Sequence, residues 1–146
     1  MAQQVQHFFS KDLGYNKDFV ITAATSRDWS QEGVARMERI RSQLQQLPEV
    51  EEVSLSFSIP NGNVAGQPSV YKMGAHSTTA IAAAAVIVDA HYKNTYNLSL
   101  TAGDFFEANR PEGEMSLVLN EAAAKALGWQ NTADAVQQRV RLYNNP

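Results

Sequence analysis

The sequence predicts an α+β chain of two small lobes, and three observations carry that expectation. A strict period of two over residues 53–59 predicts a strand with one apolar face and one serine face. A helical period at Val34, Met37, Ile40, Leu44 and Leu47 predicts an amphipathic helix just before it. Short apolar segments from Ser69 onward, separated by turn residues, predict a second, mixed α/β lobe.

Each element has its own warrant. Residues 3–13 place Val5, Phe8, Phe9 and Leu13 on one helical face, and Gly14 can end that helix. Residues 18–24 are β-branched and aromatic, which predicts a strand. Asp28 or Ser30 can cap the following helix, Glu32 and Arg36 sit four apart on its wet side, and Pro48 closes it. Residues 18–60 therefore read as strand–helix–strand, a crossover that normally leaves its two strands parallel, either adjacent or with another strand between them. Pro60, Asn61 and Gly62 break the chain, and a lobe boundary falls in the polar loop at 61–67. Residues 69–73 read as a short strand. Over 78–89 the alanines at 82–85 favour helix by propensity, whereas Val86, Ile87 and Val88 favour strand. Residues 80–85 stay open between helix and strand. A helical turn is expected at 91–96, and short strands at 98–101 and 115–119. Asn120 is expected to cap a helix that runs to Leu127 and closes at Gly128. A helical turn at 134–138 and a strand starting at Val140 complete the chain.

Composition excludes more than it assigns. Of 146 residues, 44% are hydrophobic and 18% charged, a globular balance. Net charge is −3, from 12 Lys+Arg against 15 Asp+Glu, which is too balanced to grip nucleic acid. Arg36, Arg39 and Arg41 form no continuous basic stripe, because Glu38 intervenes. No cysteine is present, which removes disulfides, thiol nucleophiles and thiolate metal sites. The longest apolar run, residues 80–88, is far short of the roughly 20 residues that cross a membrane.

Candidate chemistry is sparse. Asp89 and His91 stand two apart and could share a strand face as metal ligands, but no third ligand is evident beside them; His7 and His76 lie elsewhere. Asp104, Glu107, Glu112 and Glu114 form an acidic cluster. Paired carboxylates do acid–base work when burial splits their pKa values, but Gly103, Pro111 and Gly113 place these in a solvated loop. No Gly-x-Ser-x-Gly elbow and no phosphate loop occurs. Trp29, Tyr71, Tyr92, Tyr96 and Trp129 are candidates either for an interface or for core packing.

A family resemblance runs along almost the whole chain. It begins at Gln6-x-x-Phe9-x-x-Asp12-Leu13-Gly14-Tyr15-Asn16-x-Asp18 and continues through Arg39-Ile40-Arg41, Leu44, Leu47-Pro48 and Val50-x-x-Val53-Ser54. Ser58-Ile59-Pro60-Asn61-Gly62, Val88-Asp89-x-x-Tyr92 and Tyr96-x-Leu98 come next. Leu100, Ala102-Gly103-Asp104-Phe105-Phe106, Leu119-Asn120-Glu121-Ala122-Ala123, Leu127-Gly128 and Ala135-Val136 follow in order. In this order and spacing the chain resembles the periplasmic core domain of MacB-like and FtsX-like ABC transporter permeases.

The resemblance implies a non-catalytic domain without cofactors, on the periplasmic face of the bacterial inner membrane, set between two transmembrane helices of the parent. It implies an N-terminal helix over 1–17, the first half of a porter-like lobe over 18–67, and an inserted second lobe over 68–146. The second porter-like half would be missing, making this a C-terminally truncated fragment with a strand edge open to dimerisation or swapping. The implied partners are a periplasmic adaptor or substrate protein, a second permease copy and a cytoplasmic ATPase; no partner-binding residue is carried over. Two readings compete with it. A free-standing ligand- or peptide-binding module predicts saturable binding. A small hydrolase using Asp104 or His91 predicts activity lost on Asp104→Ala or His91→Ala with folding retained.

Overall fold

A computed structural model describes residues 18–25, 27–107 and 115–143. The expected helix at 3–13 and the residues Glu112 and Glu114 lie outside that set. The described chain is mixed α/β, with a small three-stranded antiparallel sheet and three α-helices.

Helix α1 spans Gln31–Leu44. The Ser30 side chain accepts the Gly33 N–H at 3.1 Å, and Asp28 in turn accepts the Ser30 hydroxyl at 2.7 Å. These bonds satisfy donors that a helix start leaves open. Asp28 crowds so closely over the first turn that a Cβ at residue 33 would collide with it, so Gly33 is required there. The helix ends at Leu44, four residues before Pro48, through turns closed by Gln46 and Leu47 N–H groups.

Strands β1 (Ser69–Lys72), β2 (Ile81–Ala82) and β3 (Val140–Tyr143) form the sheet in the order β2–β1–β3. The register pairs Val70 with Ile81 on one side and with Leu142 on the other. Helix α2 spans Tyr92–Thr95 and α3 spans Glu121–Ala126. As expected, Asn120 caps α3 by accepting the Ala123 N–H at 2.8 Å. Gly128, at φ +91°, closes it while Trp129 N–H returns to Ala124 C=O. That closure swings Trp129 under the sheet, where Val70, Ala124, Leu127 and Trp129 form the core. Lys72 lays its ammonium 4.3 Å above the Trp129 ring.

Several expected elements take other forms. Residues 18–24 pair with no strand: 18 and 19 form a turn and 20–24 take no regular secondary structure. Phe19 sits at φ +63°, a left-handed conformation that breaks strand geometry at its start. Residues 53–59 join no sheet, so the parallel crossover is not formed. Their inner edge is taken by Ile87 C=O, which accepts the Phe57 N–H at 3.0 Å, and by the Asp89 carboxylate. The strand expected at 86–88 falls earlier, at Ile81–Ala82. The alanine run is extended because neighbouring backbone claims it: Ala83 donates to Pro68 and Ala85 to Gly66. Tertiary pairing outweighs helix propensity there. Residues 98–101 and 115–119 find no ladder partner. The final helical turn lies at Thr132–Ala135 rather than 134–138, because Asn131 caps it.

Candidate functional site

Two carboxylates join residues 45–55 to the chain around α2. Asp89 accepts four bonds: from the Ser54 hydroxyl at 2.6 Å, and from the backbone N–H groups of Leu55, Tyr92 and His91 at 2.7, 3.0 and 3.2 Å. An acid placed just before a short helix caps it, and here the same carboxylate reaches across to the 53–59 segment. Glu52 reaches the other way. It accepts the Gln45 amide at 2.8 Å, the Val53 N–H at 3.1 Å and the Asn94 amide at 3.4 Å, and it pairs with His91 Nδ1 at 3.2 Å. Partial burial pushes the Glu52 carboxyl upward, but its bonds from Val53, Asn94 and His91 outweigh this and hold it below the ordinary glutamate value. The pair forms a clasp whose acceptors are filled by N–H and O–H donors.

Beside the clasp lies an exposed apolar and aromatic surface. The Trp29 and Phe57 rings stack at 6.3 Å, and the Arg27 guanidinium sits 4.1 Å over Phe57. Trp29 is 69% exposed, and Val34, Ile40 and Leu44 on α1 and Leu47 just after it also face solvent. The period of two over 53–59 is inverted at its end: Ser58 is buried while Phe57 and Ile59 are exposed.

A third feature is an open groove of about 680 Å³, with Lys93, Asn94, Asn97, Ser99, Asp104 and Phe105 among its lining.

The sequence candidates scatter across these features. Asp89 and His91 meet the clasp rather than each other as ligands. Among the described residues no three histidine or acidic groups converge to hold a metal. Asp104 lines the groove, and His91 is not among its lining residues. Glu107 is exposed. Of the aromatics, Tyr92, Tyr96 and Trp129 are buried, Tyr71 is half-buried, and Trp29 is the one that faces solvent. Sequence reading missed Glu52 entirely. The usable signal was its place directly before an alternating segment, where its side chain can turn back onto the Val53 N–H.

No helix among the described residues is long and apolar enough to cross a membrane. No protein-family model matches the chain, and no curated protein or solved structure matches it.

Proposed function

We propose that this chain is a non-catalytic extracytoplasmic domain of an ABC transporter permease of the MacB-like or FtsX-like kind. It passes an ATP-driven conformational change to periplasmic partners or substrate. The observation that carries the reading is the ordered series of motifs from Gln6 to Val136. Residues 18–67 would then be the first half of a porter-like lobe, and residues 68–146 the inserted lobe.

Two structural features support a mechanical role. The clasp of Glu52 and Asp89 ties the helix-bearing region to the chain around α2 through four side-chain hydrogen bonds, so movement of one region is felt by the other. The solvent-facing side of α1 and Phe57 supplies apolar area of the kind protein partners cover. The test is localisation of the native full-length protein with an antibody against this chain, after membrane fractionation and protease treatment of intact spheroplasts. Recovery in the membrane fraction with cleavage from outside is expected. A protease-protected protein in the soluble extract would overturn the reading.

The polar groove beside α2 favours a second reading, a ligand- or peptide-binding module. Saturable ligand binding lost on Asn97→Ala, in a protein that does not fractionate with membranes, would move the assignment there.

A further inference from the structure

The groove beside α2 carries two opposite charges that no described residue answers. Its lining comes from two stretches: α2 with the turn that closes it, and the loop at 98–106. Both stretches are tied down. Asn97 takes the left-handed position after α2, at φ +49°; its N–H bonds to Asn94 C=O, and the Leu98 N–H returns to Lys93 C=O at 2.8 Å. Gly103, at φ +73°, brings the loop so near Val136 that a Cβ there would stand 3.2 Å from a valine methyl. A site built on held backbone loses little further freedom when a ligand arrives.

The side chains in the groove are of three kinds. Lys93 contributes an ammonium and Asp104 a carboxylate. They form no ion pair with each other, and neither side chain has a hydrogen-bond or ion-pair partner among the described residues. Asn94 gives an amide hydrogen to Glu52 at 3.4 Å, which leaves its Oδ1 as an acceptor, and Asn97 contributes a second amide. The Phe105 and Phe106 rings, half-buried with centroids 4.5 Å apart, supply the apolar part. Amides match the N–H and C=O of a peptide bond. The two charges match the two ends of a free peptide, and the rings match an apolar side chain. A neutral polyol would leave both charges unanswered, and a simple anion or cation would meet a like charge.

We propose that the groove binds a short zwitterionic peptide by both of its ends. Lys93 holds the C-terminal carboxylate, Asp104 the N-terminal ammonium, Asn94 and Asn97 the peptide bond between them, and the Phe105–Phe106 pair an apolar side chain. The groove volume of about 680 Å³ lies in the range that holds a small ligand. This inference rests on the ligand-binding reading of the groove and not on the permease reading, which localisation decides on its own.

The probes are alanyl-leucine and the longer alanyl-alanyl-leucine, each with free ends and with both ends blocked by acetylation and amidation. Each is titrated into the isotope-labelled chain, and backbone amide shifts are followed by NMR. Saturable shifts at the amides of residues 93–106 are expected for a free peptide, with its blocked form about tenfold weaker. Lys93→Gln and Asp104→Asn should each weaken the free peptide about two- to fivefold, the range of an exposed ion pair, while far-UV circular dichroism stays unchanged. Neither variant should alter binding of the blocked form. A blocked peptide that binds as tightly as the free one would overturn the proposal and leave the groove a ligand site of another kind. Binding that Asn97→Ala removes, while Lys93→Gln and Asp104→Asn leave it intact, would do the same. No saturable shift from any of the probes would overturn it together with the peptide form of the groove reading.

Discussion

Residues 27–60 and residues 66–143 treat similar apolar side chains in opposite ways. In the second region, Val70, Leu127 and Trp129 are 1%, 8% and 8% exposed. In the first, Leu44 and Leu47 on and after the longest helix are 42% and 47% exposed. The difference is not in local signal strength, since the α1 stripe is the clearest helical pattern in the chain. It lies in whether a second layer is present. Strand β1 is flanked on both sides and covered by α3 and Trp129, so its inward residue is sealed. Helix α1 has no paired sheet beneath it, and a single helix cannot bury its own stripe. What joins the two regions is polar: the Glu52 and Asp89 clasp.

The sharpest way to break this comparison is to make one truncation in both regions. Leu127→Ala removes a buried side chain from the core and should cost about 2–5 kcal/mol. Leu44→Ala removes one that is already half in water and should cost less than about 1 kcal/mol. Urea unfolding of the two variants measures both. Equal costs would mean that α1 is covered in solution.

A smaller effect is expected at the clasp. Asp89→Asn turns an amide donor toward N–H groups that need an acceptor, which should cost about 1–3 kcal/mol. Hydrogen exchange should accelerate at the Leu55 and Tyr92 amides and leave the amides of β1 protected. If Leu55 kept its protection, the two regions would be held together by something other than this carboxylate.

Acid should loosen the same junction. The folded-state pKa of Glu52 is lowered, so its contribution is fully present above the ordinary value of 4.5 and is lost as pH falls through the folded-state value. Glu52→Gln should therefore be less stable than the parent at neutral pH, and the gap should close below about pH 4. Paired unfolding curves across that range measure it; a gap independent of pH would show that the charge is not what binds Gln45, Val53, Asn94 and His91.

What was legible in the sequence follows from how local each signal is. The caps at Ser30 and Asn120, the closure at Gly128 and the β1 strand are set by neighbours a few residues away, and the structure shows them as expected. The alanine run was not legible, because its conformation is decided by Gly66 and Pro68, which lie well before it in the chain. The clasp was half legible: Asp89 was noticed beside His91, but its bond to Leu55 spans 34 residues. At 18–24 and 53–59 residue type and period two predict strands, yet neither segment joins a sheet, since a local pattern says nothing about the partner.

The smallest effect tests whether α1 is held by its own ends. Ser30→Ala removes the acceptor for the Gly33 N–H and should cost about 1 kcal/mol, whereas Ser30→Gly should cost only a few tenths. The Asp28 carboxyl, held low first by the Ser30 hydroxyl and then by the Ser30 N–H and Arg36, loses its leading partner in both variants. A loss shared equally by Ala and Gly would therefore point to Asp28, and a loss confined to Ala to the cap itself. Because α1 has no sheet beneath it, the damage should appear as fraying: weaker helical dichroism and faster exchange at Gly33 and Val34. The unfolding midpoint read from Trp129 fluorescence, in a Trp29→Phe background, should not move. If that midpoint moved by as much as the helix signal, the two regions would unfold as one unit, and the separation drawn between them would fail.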